Sequence, residues 1–358
     1  MRRRISAQDI LDFWVKSGTI KCASLLVLHH GMVAIRHRVG MARFTGEQRE
    51  VSAETVFTIA SITKTLTATC FMQYVEAGDF SLHEPVARVL PEFGQNGKEA
   101  VTFFHLLTHT SGLPEQVEGK DELRAREGQL DEFHARICRA PLLFAPGTGY
   151  QYSNCGFGLL ARAVEQVEGR RFGAVLAERI FQPLGMKDSV LGAEPRWDER
   201  IAEIELPLGQ ETERAFVNSR YWRGMGAPWG AMVSNTEDLA LFAEAIRQGG
   251  QGRQARILAP ATVATMLQDQ LATLPALAER RDRRRQGLAW ILQGGPRPSP
   301  YGDLTSPRTF GHGGATGTLL WVDPEQEITF VFLGNKEGSL PPEMFARLSN
   351  AVVAQVSG

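Results

Sequence analysis

ASITKTLTATCFMQYVEAG, residues 60–78, is the most informative stretch of this chain. Its leucine, cysteine and aromatic side chains fall on one helical stripe, and Gly78 is the kind of residue that ends a helix. The spacing predicts a helix with Ser61 and Lys64 one turn apart on the same face. At a first helical turn, free backbone N–H groups and the positive end of the helix dipole favour negative charge. Ser61 is therefore a candidate nucleophile, with Lys64 as its basic neighbour.

Taken alone, a serine and a lysine three residues apart are a weak signal, because common residues produce this spacing by chance. The threonines at 63, 65, 67 and 69 also alternate as they do in a strand, and Lys64 also fits a solvated helix position. Ser61 and Lys64 nevertheless form the only S-x-x-K match in the chain.

A second candidate element is the run of Tyr152, Ser153 and Asn154, which follows a Pro/Gly turn at 145–149. An apolar helical run begins directly after it and ends at Gly169. One interpretation is that Ser153 or Asn154 merely caps this helix. The functional interpretation is that Tyr152 aims its phenol into a cleft, where a neighbouring Lys64 lowers its pKa from the ordinary value of about 10.

The third element is FGHGGATG, residues 310–317, whose four glycines indicate that another group approaches the backbone closely. That group is either a neighbouring strand or the acyl oxygen of a substrate. In the second interpretation, the backbone N–H groups of Ala315 and Ser61 are the two hydrogen-bond donors.

The two ends of the chain predict a sheet. The predicted elements are a helix over 7–17, strands over Ala23–His29, Met32–Val39, Thr318–Val322 and Ile328–Leu333, and a final helix over Pro342–Val356. We therefore expect an α+β sandwich, in which a central antiparallel sheet from both chain ends is flanked by helices. Residues 1–79 and 221–358 are assigned to this domain, and residues 80–220 to a mostly helical insertion, with the active site between them.

The order of the three motifs resembles that of the β-lactamase and penicillin-binding-protein superfamily, whose signature includes Ser-x-x-Lys. The branch that the chain resembles most contains the class C β-lactamases, family VIII carboxylesterases and D-aminopeptidases. The segments LLTHTSGL at 106–113, PLGM at 183–186 and MVSNTEDL at 232–239 are also similar to that branch. The resemblance covers roughly residues 10–350.

This resemblance implies a β-lactamase/transpeptidase-like fold and a set of site residues. Ser61 would carry the acyl group, with Lys64 and Tyr152 as its base. The implied substrate-binding and oxyanion residues are Asn154, which would contact the substrate or Lys64, and His312, Gly313, Gly314 and Ala315. His312 would line the pocket in place of the lysine that the family usually has there.

The third motif departs from the pattern of lactam-destroying members, which carry Lys-Thr/Ser-Gly. His312 is largely neutral at pH 7 by its ordinary pKa of about 6.5, and Gly313 has no hydroxyl. We expect anionic lactams to bind poorly and neutral esters or amides to bind comparatively well. The predicted activity is a carboxylesterase or amidase with weak or no β-lactamase activity. The alternatives are a true β-lactamase, a D-amino-acid peptidase or amidase, and a catalytically inactive ligand-binding homologue.

The composition of the chain limits the other classes of protein to which it could belong. A net charge of −1 provides no overall electrostatic attraction to nucleic acid or anionic lipid. The basic run at 280–285 fits a solvated loop. The four cysteines, which predict buried free thiols, are Cys22, Cys70, Cys138 and Cys155. The longest apolar runs are too short to span a bilayer, and the start of the chain does not fit a signal peptide, so we expect a cytoplasmic protein acting on a small molecule. Oligomeric state stays open.

Three other site types fit less well. An α/β-hydrolase needs G-x-S-x-G, which is absent, and 310–317 lacks the last glycine of a dinucleotide-binding loop. His105 and His109 have the i, i+4 spacing of zinc ligands, but no glutamate follows His105 and no third ligand is indicated. We therefore predict neither a metal nor a cofactor.

Overall fold

The computed structural model describes residues 5–211, 215–280, 283–295, 298–338 and 340–357. The strands are β1 Cys22–His29, β2 Met32–Arg43, β3 Arg49–Glu50, β4 Phe57–Thr58, β5 Val190–Leu191, β6 Met232–Ser234, β7 Ile291–Leu292, β8 Phe310–Gly314, β9 Thr318–Asp323 and β10 Ile328–Gly334. Seven of them form one antiparallel sheet in the order β3-β2-β1-β10-β9-β8-β7. The central strands thus come from both ends of the chain, as predicted.

Most of the other regular secondary structure in the described chain is helical. They are α1 Ala7–Lys16, α2 Thr63–Ala77, α3 Phe103–Leu107, α4 Lys120–Ala125, α5 Leu130–Arg139, α6 Asn154–Glu168, α7 Phe172–Leu176, α8 Gln182–Leu184, α9 Arg220–Met225, α10 Thr236–Arg247, α11 Pro260–Met266, α12 Pro275–Ala278 and α13 Pro342–Val356. Short 3₁₀ turns occur at Ala60–Ile62, Val86–Arg88, Pro91–Phe93, Pro195–Trp197, Ala215–Asn218 and Gln270–Thr273, and a π turn at Ala177–Phe181 joins α7 to α8.

Helices cover both faces of the large sheet. Alternate residues of a strand point to opposite faces, so Ala23 and Leu25 pack with α1 and α13, whereas Leu26 and Leu28 pack into the larger core that contains α2 and α10. Both sets of side chains are buried. This two-sided burial is the reason that β1 is a nearly continuous apolar run rather than an alternating one.

A second, smaller sheet has the order β4-β6-β5. Strand β4 directly precedes the turn that carries Ser61, and β5 comes from the segment assigned to the helical insertion. The predicted architecture, a central antiparallel sheet from both chain ends flanked by helices, is confirmed, whereas the domain boundaries at 79 and 220 stay a prediction.

Helix α2 differs in two ways from the helix expected at 60–78. It begins at Thr63, because Ser61 lies in the preceding 3₁₀ turn, and it ends at Gly78 with φ 83°. The threonine side is buried as well as the apolar stripe. Each hydroxyl is satisfied by a carbonyl: Thr67, for example, donates to Pro228 O at 2.7 Å.

The remaining sequence-level predictions have mixed outcomes. All four cysteines are buried free thiols, as predicted. Within the described residues, no helix is both long and apolar enough to cross a membrane. The basic run is not simply a solvated loop, because Arg283 and Arg285 both pair with Asp269 at 2.8 and 3.4 Å. Positions 281 and 282 of that run lie outside the described residues.

Candidate active site

Ser61 is held in a strained turn between β4 and α2. The preceding residue, Ala60, has φ 45°, a left-handed conformation that costs a non-glycine residue about 1 kcal/mol. The surroundings fix it: the Ile59 N–H donates to Met232 O at 3.0 Å, and the Thr63 hydroxyl donates to Ala60 O at 2.6 Å. Ser61 is half-buried, so its hydroxyl is accessible from one side.

Lys64 lies directly beside this hydroxyl. Its Nζ is 3.0 Å from Ser61 Oγ and donates to Trp229 O at 2.7 Å. The side chain has no exposed surface. Burial holds the pKa of the Lys64 amine well below its ordinary value, and the charge of Glu115 opposes this only in part. Burial therefore shifts the amine toward its neutral form, which can accept a proton.

Tyr152 reaches the same point from the start of α6. Ser153 caps that helix, since its hydroxyl accepts from the Gly156 N–H at 3.3 Å and donates to Pro114 O at 2.8 Å. The ring centroid of Tyr152 is 4.9 Å from Lys64 Nζ, and the Ser61 side chain interacts with the phenol. Burial raises the pKa of the Tyr152 phenol, more than the bond to Ser61 lowers it. The phenol therefore keeps its proton, and the expectation that Lys64 lowers the pKa of Tyr152 is wrong.

The third motif is itself a strand, β8, which borders the site. Strand β7 pairs with β8 only at Phe310 and Gly311, which leaves the edge beyond them facing the site. His312 Nδ1 donates to Gly313 O at 2.7 Å, and the His312 ring lies 6.2 Å from that of Tyr152. Burial is the main cause that lowers the pKa of His312 to about 3. His312 is neutral at pH 7.

Gly314 and Ala315 bring the end of β8 against the Ser61 turn. A Cβ at position 314 would lie under 3.0 Å from Ile59 O and 3.1 Å from the Cβ of Ala60, so only glycine permits this approach. Among the described residues, no acceptor takes the backbone N–H of Ala315 or of Ser61. Two N–H groups are thus available where the strand meets the turn.

Asn154 is buried at the first position of α6, and its N–H donates to Glu115 O at 3.0 Å. The hydrogen bonds of the Lys64 amine within the described chain go to Ser61 and Trp229, not to Asn154. Of the two contacts expected of Asn154, the one with substrate stays a prediction.

His109 is a site residue that the sequence indicated only as half of a possible zinc pair. It follows α3 with φ 60°, and its ring lies 4.6 Å from that of Tyr152. Its Nδ1 accepts from the Ser153 N–H at 3.0 Å, which places the ring hydrogen on Nε2. Burial lowers the pKa of His109, so the ring that supports Tyr152 is neutral.

The sequence model of the beta-lactamase family matches residues 8–355. The chain belongs to the beta-lactamase family. This membership confirms the resemblance seen in the three motifs, and with it the prediction of a serine hydrolase.

Relatives of this beta-lactamase-family chain carry names of two kinds. Esterase EstB of Burkholderia gladioli is 33% identical over 274 residues, which cover 66% of this chain and 68% of EstB. A putative D-alanyl-D-alanine carboxypeptidase of Escherichia coli (strain K12) is 27% identical over 92% of this chain and 82% of its own. Among solved structures, a family VIII carboxylesterase has a TM-score of 0.80 at 22% identity, over 99% of this chain and 98% of the other. That structure supports the fold.

In this beta-lactamase-family fold, the three motifs meet at one point, although they are far apart in the sequence. His105 and His109, considered as a zinc pair, serve different purposes: His105 lies in α3 and accepts from the Thr102 N–H at 3.2 Å, whereas His109 lies under Tyr152. The described residues contain no group of three or more His, Cys, Asp or Glu placed to hold a metal ion.

Proposed function

We propose that this protein is an esterase-type serine hydrolase that forms an acyl-enzyme on Ser61 and acts on small esters or amides. The observation that carries the proposal is the 3.0 Å contact between the Ser61 hydroxyl and a fully buried Lys64 amine whose pKa is held low. A serine hydroxyl is a weak nucleophile until a base removes its proton. A neutral amine at hydrogen-bond distance is such a base.

The two neutral partners of Ser61 have different tasks in this proposal. Lys64 accepts the proton as Ser61 Oγ bonds to the substrate carbonyl carbon. Tyr152, a protonated phenol, donates to the leaving oxygen or nitrogen as its bond to that carbon breaks, and recovers a proton from Lys64. The net result is transfer of the serine proton to the leaving group. Water then attacks the acyl-enzyme by the same route and releases the acid.

The oxyanion that forms in each step needs donors that are already in place. The N–H groups of Ser61 and Ala315 are available for this purpose, because Gly314 lets β8 approach the turn. A pair of such donors is worth several kcal/mol in the transition state, since removal of one in other enzymes costs about 10²–10³ in rate.

Preference for esters or amides over lactams rests on β8. His312 carries no charge at neutral pH, since its pKa is lowered to about 3, and Gly313 has no hydroxyl. The strand therefore lacks the cation and the hydroxyl that hold a lactam carboxylate in lactam-destroying relatives. The name of the relative EstB agrees with this preference. The name of the carboxypeptidase relative fits the alternative of a D-amino-acid peptidase or amidase.

We also propose that residues 80–220 form an inserted domain and that the substrate enters between it and the sheet domain. Ser61 and His312 belong to the sheet side, whereas Tyr152 and Asn154 belong to the insertion. Asn154 is proposed to contact the bound substrate.

The test is turnover of p-nitrophenyl butyrate and covalent labelling by a fluorophosphonate. Ser61→Ala should lose both, with a fall in kcat on the order of 10⁴-fold or more. Ser81→Ala, which changes an exposed serine, is the matched control and should keep both. Labelling that persists in Ser61→Ala would contradict the proposal. A wild-type protein that shows neither turnover nor label would indicate an inactive binding homologue.

A further inference from the structure

His109, just after α3, combines two locally unfavourable features. Its φ of 60° is a left-handed conformation, which is unfavourable for most residues that carry a Cβ. Its ring is buried, and the ring hydrogen lies on Nε2 because Nδ1 accepts from the Ser153 N–H. In the part of the chain that the structure describes, this Nε2 has no hydrogen-bond partner. Strain and unpaired buried groups of this kind are typical of functional sites.

His109 holds the backbone on both sides of Tyr152. The Gln151 N–H donates to His109 O at 2.9 Å, and the Ser153 N–H donates to His109 Nδ1 at 3.0 Å. Tyr152 itself lies in neither a helix nor a strand, since α6 begins only at Asn154. The two bonds to His109 therefore do for the Tyr152 backbone what regular secondary structure does elsewhere.

The His109 ring also packs against the side chain of Tyr152. The two ring centroids are 4.6 Å apart, and the ring planes are inclined by 33°. Two further rings hold the imidazole in place: that of Phe157 at 5.4 Å, and that of Tyr150, which meets it edge-on at 5.9 Å. His109 thus constrains both the backbone and the ring of Tyr152, and is itself fixed by its neighbours.

His105, one helical turn earlier, shows what a histidine with a structural role alone looks like in this segment. Its Nδ1 accepts from the Thr102 N–H at 3.2 Å and so satisfies the start of α3. Its ring contacts that of Phe104 rather than that of Tyr152. The two histidines therefore have comparable hydrogen bonds, but only His109 acts on the proton donor of the site.

In the proposed reaction, Tyr152 gives its proton to the leaving atom, and this transfer requires the phenol to lie within hydrogen-bond reach of that atom. We propose that His109 is a positioning residue, which holds Tyr152 so that its phenol oxygen meets the leaving atom of a bound ester or amide. This inference rests on the proposed function and adds the residue that places the proton donor. Esters whose alcohol is a poor leaving group need the proton most, so they should depend most on His109.

The first experiment measures kcat/KM for phenyl butyrate and p-nitrophenyl butyrate, which share one acyl group and differ in leaving group. His109→Ala should lower kcat/KM by about tenfold or more for phenyl butyrate, because a displaced donor loses part of the 10²–10⁴ that general acid catalysis contributes. The loss for p-nitrophenyl butyrate should be less than about threefold. His109→Asn should recover part of the loss, since asparagine adopts a left-handed backbone readily and its side-chain oxygen can accept from the Ser153 N–H. His105→Ala is the matched control and should change both values by less than about twofold.

A double-mutant cycle distinguishes positioning of Tyr152 from a general disturbance of the site. The Tyr152→Phe variant keeps the ring but has no proton to donate. In that background, His109→Ala should lower kcat/KM for phenyl butyrate by less than about twofold, because a residue that acts through the phenol has nothing left to position. If His109→Ala does not fold, His109→Asn, which lacks the ring, should show the same leaving-group dependence and the same loss of effect in the cycle.

The outcomes separate the inference from the function on which it rests. Wild-type kcat/KM in His109→Ala, equal losses on the two esters, or an undiminished loss in the Tyr152→Phe background would overturn the positioning role while the proposed function stands. A Tyr152→Phe variant as active as the wild type on phenyl butyrate would overturn the proposed task of Tyr152 and the inference together. Failure of the wild type to hydrolyse either ester would also overturn both.

Discussion

Replacing Gly314 with alanine should push the end of β8 away from the Ser61 turn. The new Cβ would lie under 3.0 Å from the Ile59 carbonyl oxygen and from the Thr318 hydroxyl, and 3.1 Å from the Cβ of Ala60. Ile59 is fixed by its own hydrogen bond to β6, so the strand has to give way rather than the turn. The shift moves the next N–H group, that of Ala315, out of line with the N–H of Ser61.

The expected magnitude follows from the role of that N–H group. Loss of one oxyanion donor costs about 10²–10³ in kcat, which is roughly 3–4 kcal/mol of transition-state stabilisation. A change confined to the transition state lowers kcat and leaves KM nearly constant. The assay is steady-state hydrolysis of p-nitrophenyl butyrate by wild type and Gly314→Ala, with thermal unfolding to confirm that the variant is folded.

Gly313→Ala is the matched comparison, one residue earlier on the same strand. A Cβ there would meet nothing closer than Thr318 O at 3.6 Å, which is ordinary contact. Its loss of kcat should therefore be much smaller than that of Gly314→Ala. A folded Gly314→Ala variant with wild-type kcat, or equal losses in the two variants, would refute the assignment of the donor pair.

Other perturbations test other parts of the site. Tyr152→Phe should lower kcat by at least about 10²-fold, because it removes the proton donor to the leaving group. The loss should be smallest for esters that release p-nitrophenoxide, because this leaving group departs without a proton. Measuring kcat for a series of esters with different leaving groups tests this prediction. The kcat should rise with pH as the Lys64 amine loses its proton. It should become constant at a pH well below about 10.4, the ordinary pKa of a lysine, because burial lowers the pKa of Lys64. A pH profile in which kcat still rises near pH 10 would contradict this. The double variant His312→Lys/Gly313→Ser should raise kcat/KM for nitrocefin relative to that for p-nitrophenyl butyrate. Position 313 has space for the added side chain. An unchanged ratio of the two kcat/KM values would show that β8 does not control the preference between lactams and esters.

Much of the fold could be predicted from local patterns. The final helix spans Pro342–Val356, the range expected from its apolar spacing and initial proline. The apolar runs at both ends of the chain predicted the central strands, because burial on both faces requires such runs. The 3₁₀ turn at Ser61 was not predicted, since it depends on contacts of Ile59 and Ala60 with distant strands.

The site could be predicted only in part. Motif order predicted Ser61, Lys64 and Tyr152, whose side chains lie together in the structure. No local pattern indicates the carbonyl of Trp229 that accepts from Lys64, because residue identity does not show where a backbone carbonyl lies. His109 was seen only as half of a possible zinc pair, since its stacking on Tyr152 depends on tertiary structure. The ion pairs of the basic run depend on Asp269, which is too far away in the sequence for a local pattern to indicate the pairing.

A crystal structure of the fluorophosphonate adduct would test the catalytic assignment most directly. The account predicts phosphorus bonded to Ser61 Oγ, with the phosphoryl oxygen about 2.7–3.1 Å from the backbone nitrogens of both Ser61 and Ala315. An adduct on another residue, or an adduct on Ser61 whose phosphoryl oxygen points away from those two nitrogens, would contradict it.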